Sequence, residues 1–260
     1  MKKGIVYGSL PPHLDVEERF RLAAQAGFDG IEVHGTDSAD ELKRAKAAAD
    51  AAGLQIPSIM ASTHWAHPLS SADAATRQRT VDSMIFTMEN AHLVSADTVL
   101  LVPGVVDEAT SYEDAYARSQ AEIKNLAPVA EKHNVTIAIE NVWNKLLLSP
   151  LEFKRYIEEI GSPNVKAYFD CGNILTYGYP HHWIRTLGPL LHRVHVKDFR
   201  LSDHTFVYLL HGDVPWAAVM AALREVGYDN YIAAELPPYP QCPDQMVFDT
   251  SHALSRIFDL

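Results

Sequence analysis

The sequence predicts an α/β fold, a (β/α)8 barrel of eight parallel strands, on three observations. Its length of 260 residues is usual for one such barrel and long for a small domain. Short β-branched runs alternate with amphipathic helical stretches along the whole chain. The competing architecture is an open doubly wound sheet. It usually carries a glycine-rich phosphate loop after its first strand, and GIVYGSLPP lacks that fingerprint.

The elements follow in order. GIVYGS is the first strand candidate and VEERFRLAAQAG the helix after it. GIEVHG leads to ADELKRAKAAADAAG, and IPSIMAS leads to TRQRTVDSMIFTMENAHLV. TVLLVPG then leads to YARSQAEIKNLAPVAEKHN, and VTIAIENV to LEFKRYIEEIG. VKAYFDCG is the sixth strand. RVHVKDF leads to WAAVMAALREVG, and YIAAELP to a final helix over residues 244–259. Several helical stretches end in glycine or asparagine, residues suited to helix C-termini. Parallel strands joined by helices close economically into a TIM barrel at eight units. With no linker or low-complexity segment, residues 1–260 read as one catalytic domain.

Composition narrows the function. A hydrophobic fraction of 47% suits a buried core rather than disorder. A formal net charge of −11 argues against nucleic acid as a partner. Two cysteines, Cys171 and Cys242, make neither a disulfide framework nor a cysteine zinc site, and they fit a reducing compartment. The N-terminal apolar run is short and broken by glycine and proline, unlike a signal peptide. No apolar run approaches the roughly 20 residues needed to span a membrane. The expectation is a soluble cytoplasmic protein.

Strand parity locates the chemistry. Side chains two apart share a face. In VTIAIEN, Val135, Ile137 and Ile139 oppose Thr136, Ala138 and Glu140. In RVHVKD, Val194 and Val196 oppose His195 and Lys197. In YIAAELP, Ile232 opposes Ala233 and Glu235, and in GIEVHG, Ile31 and Val33 oppose Glu32 and His34. The branched face should pack on the helices and the other face should point into the barrel mouth. Asp170 also ends its strand, where barrel enzymes keep their reactive groups. Clustered carboxylates are costly to bury unless neutralised. Glu140, Asp170, His195 and Glu235 end consecutive strands, and one divalent cation resolves their repulsion. Three carboxylates and an imidazole suit Mn2+ or Mg2+ better than a structural zinc, with Zn2+, Co2+ and Fe2+ as alternatives.

At STHWAHPLSS, IAIENVWN, YFDCGNIL, RVHVKDFR and GDVPWAAVMAALREVGYDNYIAAELPPY, the chain resembles the sugar-phosphate isomerase/epimerase superfamily with the xylose isomerase-like barrel. The resemblance spans nearly the whole chain. It is nearest the L-ribulose-5-phosphate 3-epimerase branch and the ketose 3-epimerases of the D-tagatose and D-psicose type. It implies Glu140, Asp170, His195 and Glu235 as metal ligands, and Glu140 and Glu235 as the acid/base pair. Free-hexulose epimerases place a substrate-touching histidine where this chain has Asn173. That departure favours the pentulose-phosphate branch.

Epimerisation beside a ketone removes a proton and returns it on the other face, through a cis-enediolate. A chelating metal stabilises the new oxygen charge while two flanking carboxylates act as base and acid. The substrate is then a small sugar or sugar phosphate. Candidate substrate contacts are His64, Asn173, Lys197, Trp143 and Arg200, the last for phosphate. Each has a structural alternative: Lys197 could instead pair with Asp198, and Arg200 could be a surface arginine. Trp143 and Trp65 could wall the sugar or simply pack. His67 reads as structural or solvated, and Cys171 as a buried packing residue. Asp213 reads as a helix N-cap with Pro215 in the first turn. Glu32 and His34 have no evident role.

Three rival readings remain. One is an isomerase, or a lyase of the inosose-dehydratase or 3-keto-glycoside elimination type, on the same metal. The second is an endonuclease IV-like repair enzyme, which needs more histidines and a basic surface. The third is a non-catalytic sugar-binding subunit. Barrels of this kind often associate as dimers or tetramers, so a homo-oligomer is compatible with the sequence.

Overall fold

A computed structural model describes residues 1–260. The barrel strands are β1 (Lys2–Val6), β2 (Gly30–His34), β3 (Ser58–Met60), β4 (Thr98–Leu101), β5 (Thr136–Glu140), β6 (Val165–Asp170) and β7 (Leu191–Val196), closed by β10 (Tyr231–Ala234). They pair in that order, with β10 bonded to both β7 and β1, and every barrel pair is parallel. Around them run α1 (Val16–Ala26), α2 (Ala39–Ala52), α3 (Ala74–Asn90), α4 (Tyr112–His133), α5 (Pro150–Ile160), α6 (Pro180–Leu187), α7 (Trp216–Glu225) and α8 (Pro243–Phe258). A short antiparallel hairpin, β8 (Asp198–Arg200) with β9 (Thr205–Val207), interrupts the connection after β7.

Local chemistry sets the helix limits. Asp15 and Glu18 form a reciprocal capping box at the start of α1. Ser38, Asp73, Ser111 and Ser149 accept backbone N–H bonds at the starts of α2 to α5. Gly27, Gly53, Asn134 and Gly161 close helices in the left-handed conformation.

The two strand faces separate as parity predicts. Val99, Leu101, Ile137, Ile139, Phe169, Val194 and Val196 belong to the main core. Leu100, Ala138 and Tyr168, with Met60 against them, form a separate small cluster. The same inward parity carries Glu140, Asp170 and His195 above that plug, so its filling forms the floor of the polar site. At the opposite end Arg193, buried on β7, donates to Asp97 at 2.5 Å.

Helix α6 supplies the crossover after β6 that the eight-unit pattern requires, though PHHWIRTL, with only eight residues, has too thin a periodicity to mark it in the sequence. Two expectations need correction. The run RVHVKDF is not one strand: β7 ends at Val196 and the hairpin begins at Asp198. Asp213 does not cap α7. Pro215 holds the cap position without a side-chain bond, and Asp213 accepts the Leu201 N–H at 2.7 Å. Asp198 does the organising instead. Its buried carboxylate accepts from the N–H groups of Phe199, Leu210 and Val214 and from Trp216 Nε1, at 2.9–3.1 Å. No helix is long and apolar enough to cross a membrane.

Candidate metal centre

Four side chains meet at the C-terminal mouth of the barrel. Glu140 and Asp170 end β5 and β6, His195 lies next to last in β7, and Glu235 follows β10 directly. Register aligns them: Asp170 pairs with His195, and His195 with Ala233. The Glu235 N–H then bonds Val196 O at 3.0 Å, which continues the ladder by one residue. One ligand atom from each of the four lies within 4.8 Å of all the others.

Asp170 is held by an asparagine network. Its N–H donates to Asn141 Oδ1, and Asn141 Nδ2 donates back to Asp170 O, both at 2.9 Å. The Asn173 N–H donates to Asp170 Oδ1 at 2.8 Å, and Asn173 Nδ2 donates to Asn141 O at 2.9 Å. Asn173 is thus buried in the scaffold beneath the ligand. Gly172 must be glycine, since a Cβ there would sit 2.5 Å from Lys197 O.

His195 bridges two carboxylates. Its Nδ1 lies 2.8 Å from Glu140 Oε1 and its Nε2 lies 2.9 Å from Glu32 Oε1. Ser58 Oγ donates to the other Glu32 oxygen at 2.6 Å, and the Tyr168 ring packs 4.3 Å from the imidazole. Burial works to lower the His195 pKa, but Glu32 and Glu140 outweigh it and hold the ring well above the ordinary range. Burial likewise pushes Glu32 up, and His195 reverses this to a net lowering. Burial raises Glu140 to about 7 despite His195, and raises Asp170 despite Lys197. For Glu235 burial is outweighed by His195 and Lys197, and the carboxyl is held low.

Lys197 places an ammonium among these carboxylates. Its Nζ lies 2.5 Å from Glu235 Oε2 and 3.2 Å from Asp170 Oδ2. It does not pair with Asp198. Asp170 Oδ2 is buried and makes no hydrogen bond, so the Lys197 charge is its only partner. An orphaned buried carboxylate oxygen amid three other oxygen and nitrogen donors fits a divalent cation. Glu140, Asp170, His195 Nδ1 and Glu235 are the residues that would hold it.

The remaining candidates spread around the mouth. His64 is buried, and its Nδ1 accepts the Val102 N–H at 3.3 Å. Burial lowers its pKa to about 4, against the opposing charges of Glu235 and Glu32. Trp143 donates to Asn173 O at 2.9 Å and lies 4.6 Å from the Phe206 ring, with half its surface exposed. Trp65 is also half exposed, edge-on to His64. Arg200 pairs with Asp203 at 2.6 Å on the exposed hairpin and is not among the cavity-lining residues. His67 bonds through its backbone to Thr63 and Thr80, which fits a structural role. Cys171 is fully buried.

A cavity of 580 Å³ opens beside Glu235 and Lys197, walled by Val6, His34, Met60, Phe206 and Leu236 among others. Sequence reasoning missed Glu32 as a partner of His195, although parity had turned it inward. It also missed Phe206, which lies on the unanticipated hairpin.

A family model described as xylose isomerase-like TIM barrel matches residues 20–256. An uncharacterised protein of Methanocaldococcus jannaschii is 25% identical over 174 residues, 64% of this chain, and the chain spans 59% of that protein's length. The L-ribulose-5-phosphate 3-epimerase of Salmonella paratyphi C is 25% identical over 236 residues, 86% of this chain and 83% of that protein. Among solved structures, the D-psicose 3-epimerase of Clostridium cellulolyticum H10 with D-tagatose superposes with a TM-score of 0.82 at 19% identity, covering 99% of this chain and 98% of that one.

Proposed function

This chain belongs to the xylose isomerase-like TIM barrel family, and on that premise we propose that it is a divalent-metal-dependent epimerase of a ketose or ketose phosphate, inverting C3. The observation that carries the reading is the Glu140–Asp170–His195–Glu235 cluster, with its donor atoms within 4.8 Å at the barrel mouth. Its similarity to 3-epimerases supports the choice of reaction.

When bound, the cation, with Mn2+ first choice, supplies Lewis-acid stabilisation of the charge that develops on the ketose oxygens. The chain's own residues supply the rest. Glu235 lines the cavity and lies a third exposed, so its carboxylate is at hand for a proton on the sugar carbon. Glu140 is buried, 2.8 Å from the His195 Nδ1 that lies 4.0 Å from Glu235. The two glutamates form the acid/base pair, one taking the proton from C3 and the other returning it on the opposite face. Asp170 and His195 act as anchors. The Asn141–Asn173 network and Glu32 fix those two in place. Lys197, beside both Asp170 and Glu235, is placed to donate to a substrate oxygen.

The test is an NMR screen of ketoses and their phosphates in D2O with the Mn2+-loaded protein. Deuterium at C3 with inverted stereochemistry is expected. Exchange at C1 or C2 alone would make the protein an isomerase, and loss of water or of an aglycone would make it a lyase. No exchange with any ketose would remove the epimerase reading.

A further inference from the structure

We propose that this site takes an uncharged ketose in preference to a ketose phosphate, an inference that rests on the reading above and narrows its substrate class. The argument comes from where a phosphate would have to sit. In (β/α)8 barrels phosphate sites are commonly built by the loops after the last two barrel strands, from backbone N–H groups and cationic side chains. Here both loops have another chemistry.

After β7 the chain turns into the β8–β9 hairpin, which sets Phe206, Val207 and Tyr208 on the cavity wall. After β10 the wall continues as Leu236 and Pro237. Pro237 and Pro238 have no N–H to offer an anion. The Leu236 N–H is already donated to Ser9 Oγ at 3.0 Å. Val6 and Met60 extend the apolar surface.

The basic side chains on the wall are Lys197 and His34. Lys197 lies between Glu235 and Asp170, whose carboxylates repel a phosphate brought to it but not a neutral hydroxyl. Arg200, the natural phosphate partner in this loop, is closed onto Asp203 in a bidentate pair at 2.6–3.1 Å. Local charge points the same way: the mouth gathers the carboxylates of Glu140, Asp170 and Glu235. A phosphate dianion brought to this mouth meets repulsion that a neutral polyol does not. An apolar wall facing a polar floor instead suits a sugar, whose C–H face packs while its hydroxyls reach the ligands.

Matched pairs that differ only in the phosphate test this: D-fructose with D-fructose 6-phosphate, and L-ribulose with L-ribulose 5-phosphate. With the Mn2+-loaded full chain, the free sugars should bind more tightly by calorimetry, and exchange C3 deuterium with kcat/KM at least about tenfold higher, than their phosphates. Val207→Lys, which adds a cation to the wall, should narrow that gap. A phosphate ester that binds or reacts as well as its free sugar overturns the inference. Tighter binding of the free sugar without any C3 exchange upholds the substrate class and sinks the reaction, so the two failures are distinguishable.

Discussion

His195 Nε2 lies 2.9 Å from Glu32 Oε1, on the ring edge opposite the Nδ1 that faces Glu140. Both side chains are fully buried, so the pair fixes which nitrogen points at the ligand cluster. A carboxylate behind a ligating histidine sets its tautomer and raises its basicity, and losing such a partner typically weakens metal binding about 10–100-fold. Glu32→Gln keeps an acceptor and removes the charge, so Mn2+ affinity should fall about tenfold. Glu32→Leu should cost more. Manganese binding followed by calorimetry, with circular dichroism to monitor the fold, checks this. Unchanged affinity in both variants would reduce Glu32 to packing.

Glu140→Gln and Glu235→Gln should each abolish turnover, with kcat falling about 10²–10⁴-fold, the usual worth of positioned general acid or base groups. Since both residues also belong to the ligand cluster, the assays need saturating Mn2+ and a measured metal content. A fully loaded variant with near-normal kcat would sink the acid/base assignment of that residue.

Lys197 neutralises Asp170 and Glu235 when no metal is bound. Lys197→Met leaves a fully buried carboxylate and a partly buried one without their ammonium. Breaking a buried ion pair costs about 3–5 kcal/mol, less here because Glu235 is a third exposed. We expect urea unfolding in EDTA to show a loss of about 2–3 kcal/mol. Saturating Mn2+ should restore most of it, because the dication takes over the neutralising role. A loss of equal size with and without Mn2+ would mean the lysine matters only through its packing.

Much of this site could be read from alternation along single strands. Glu140, Asp170, His195 and Glu235 each end or nearly end a β-branched run, and that pattern is local. The Glu32–His195 contact joins residues 163 apart, and inward parity alone does not reveal which partner an inward acid meets. Asn173 shows the same limit: it follows Asp170 closely enough to suggest a substrate contact, yet its amide bonds Asn141 O. Asp213 and Asp198 flank the hairpin loop, and only the folded loop decides which one organises it. Sequence favoured Asp213 for its place before Pro215. The fold uses Asp198 because its buried carboxylate reaches four donors at once.

The last prediction concerns the far end of the barrel, where function is not at stake. His192 is partly buried, with Nε2 2.9 Å from Thr98 Oγ1. Burial, helped by Arg193 and Lys166 against Asp97, lowers its pKa from 6.5 to about 4. The folded chain therefore resists a proton that the unfolded chain accepts. Between those two values the unfolded state binds more protons, so stability falls as pH drops from 6.5 towards 4. The contribution is fully present above the unfolded value and levels off below the folded one. From pH 7 to pH 5 it amounts to at most about 2 kcal/mol. His192→Gln cannot titrate and retains an amide for Thr98. Urea unfolding in EDTA at the two pH values should show the variant losing less stability than the parent by about that amount. Metal-site groups titrate in both proteins and cancel in this difference. Equal pH dependence in the two would show that His192 is already free to protonate in the folded barrel.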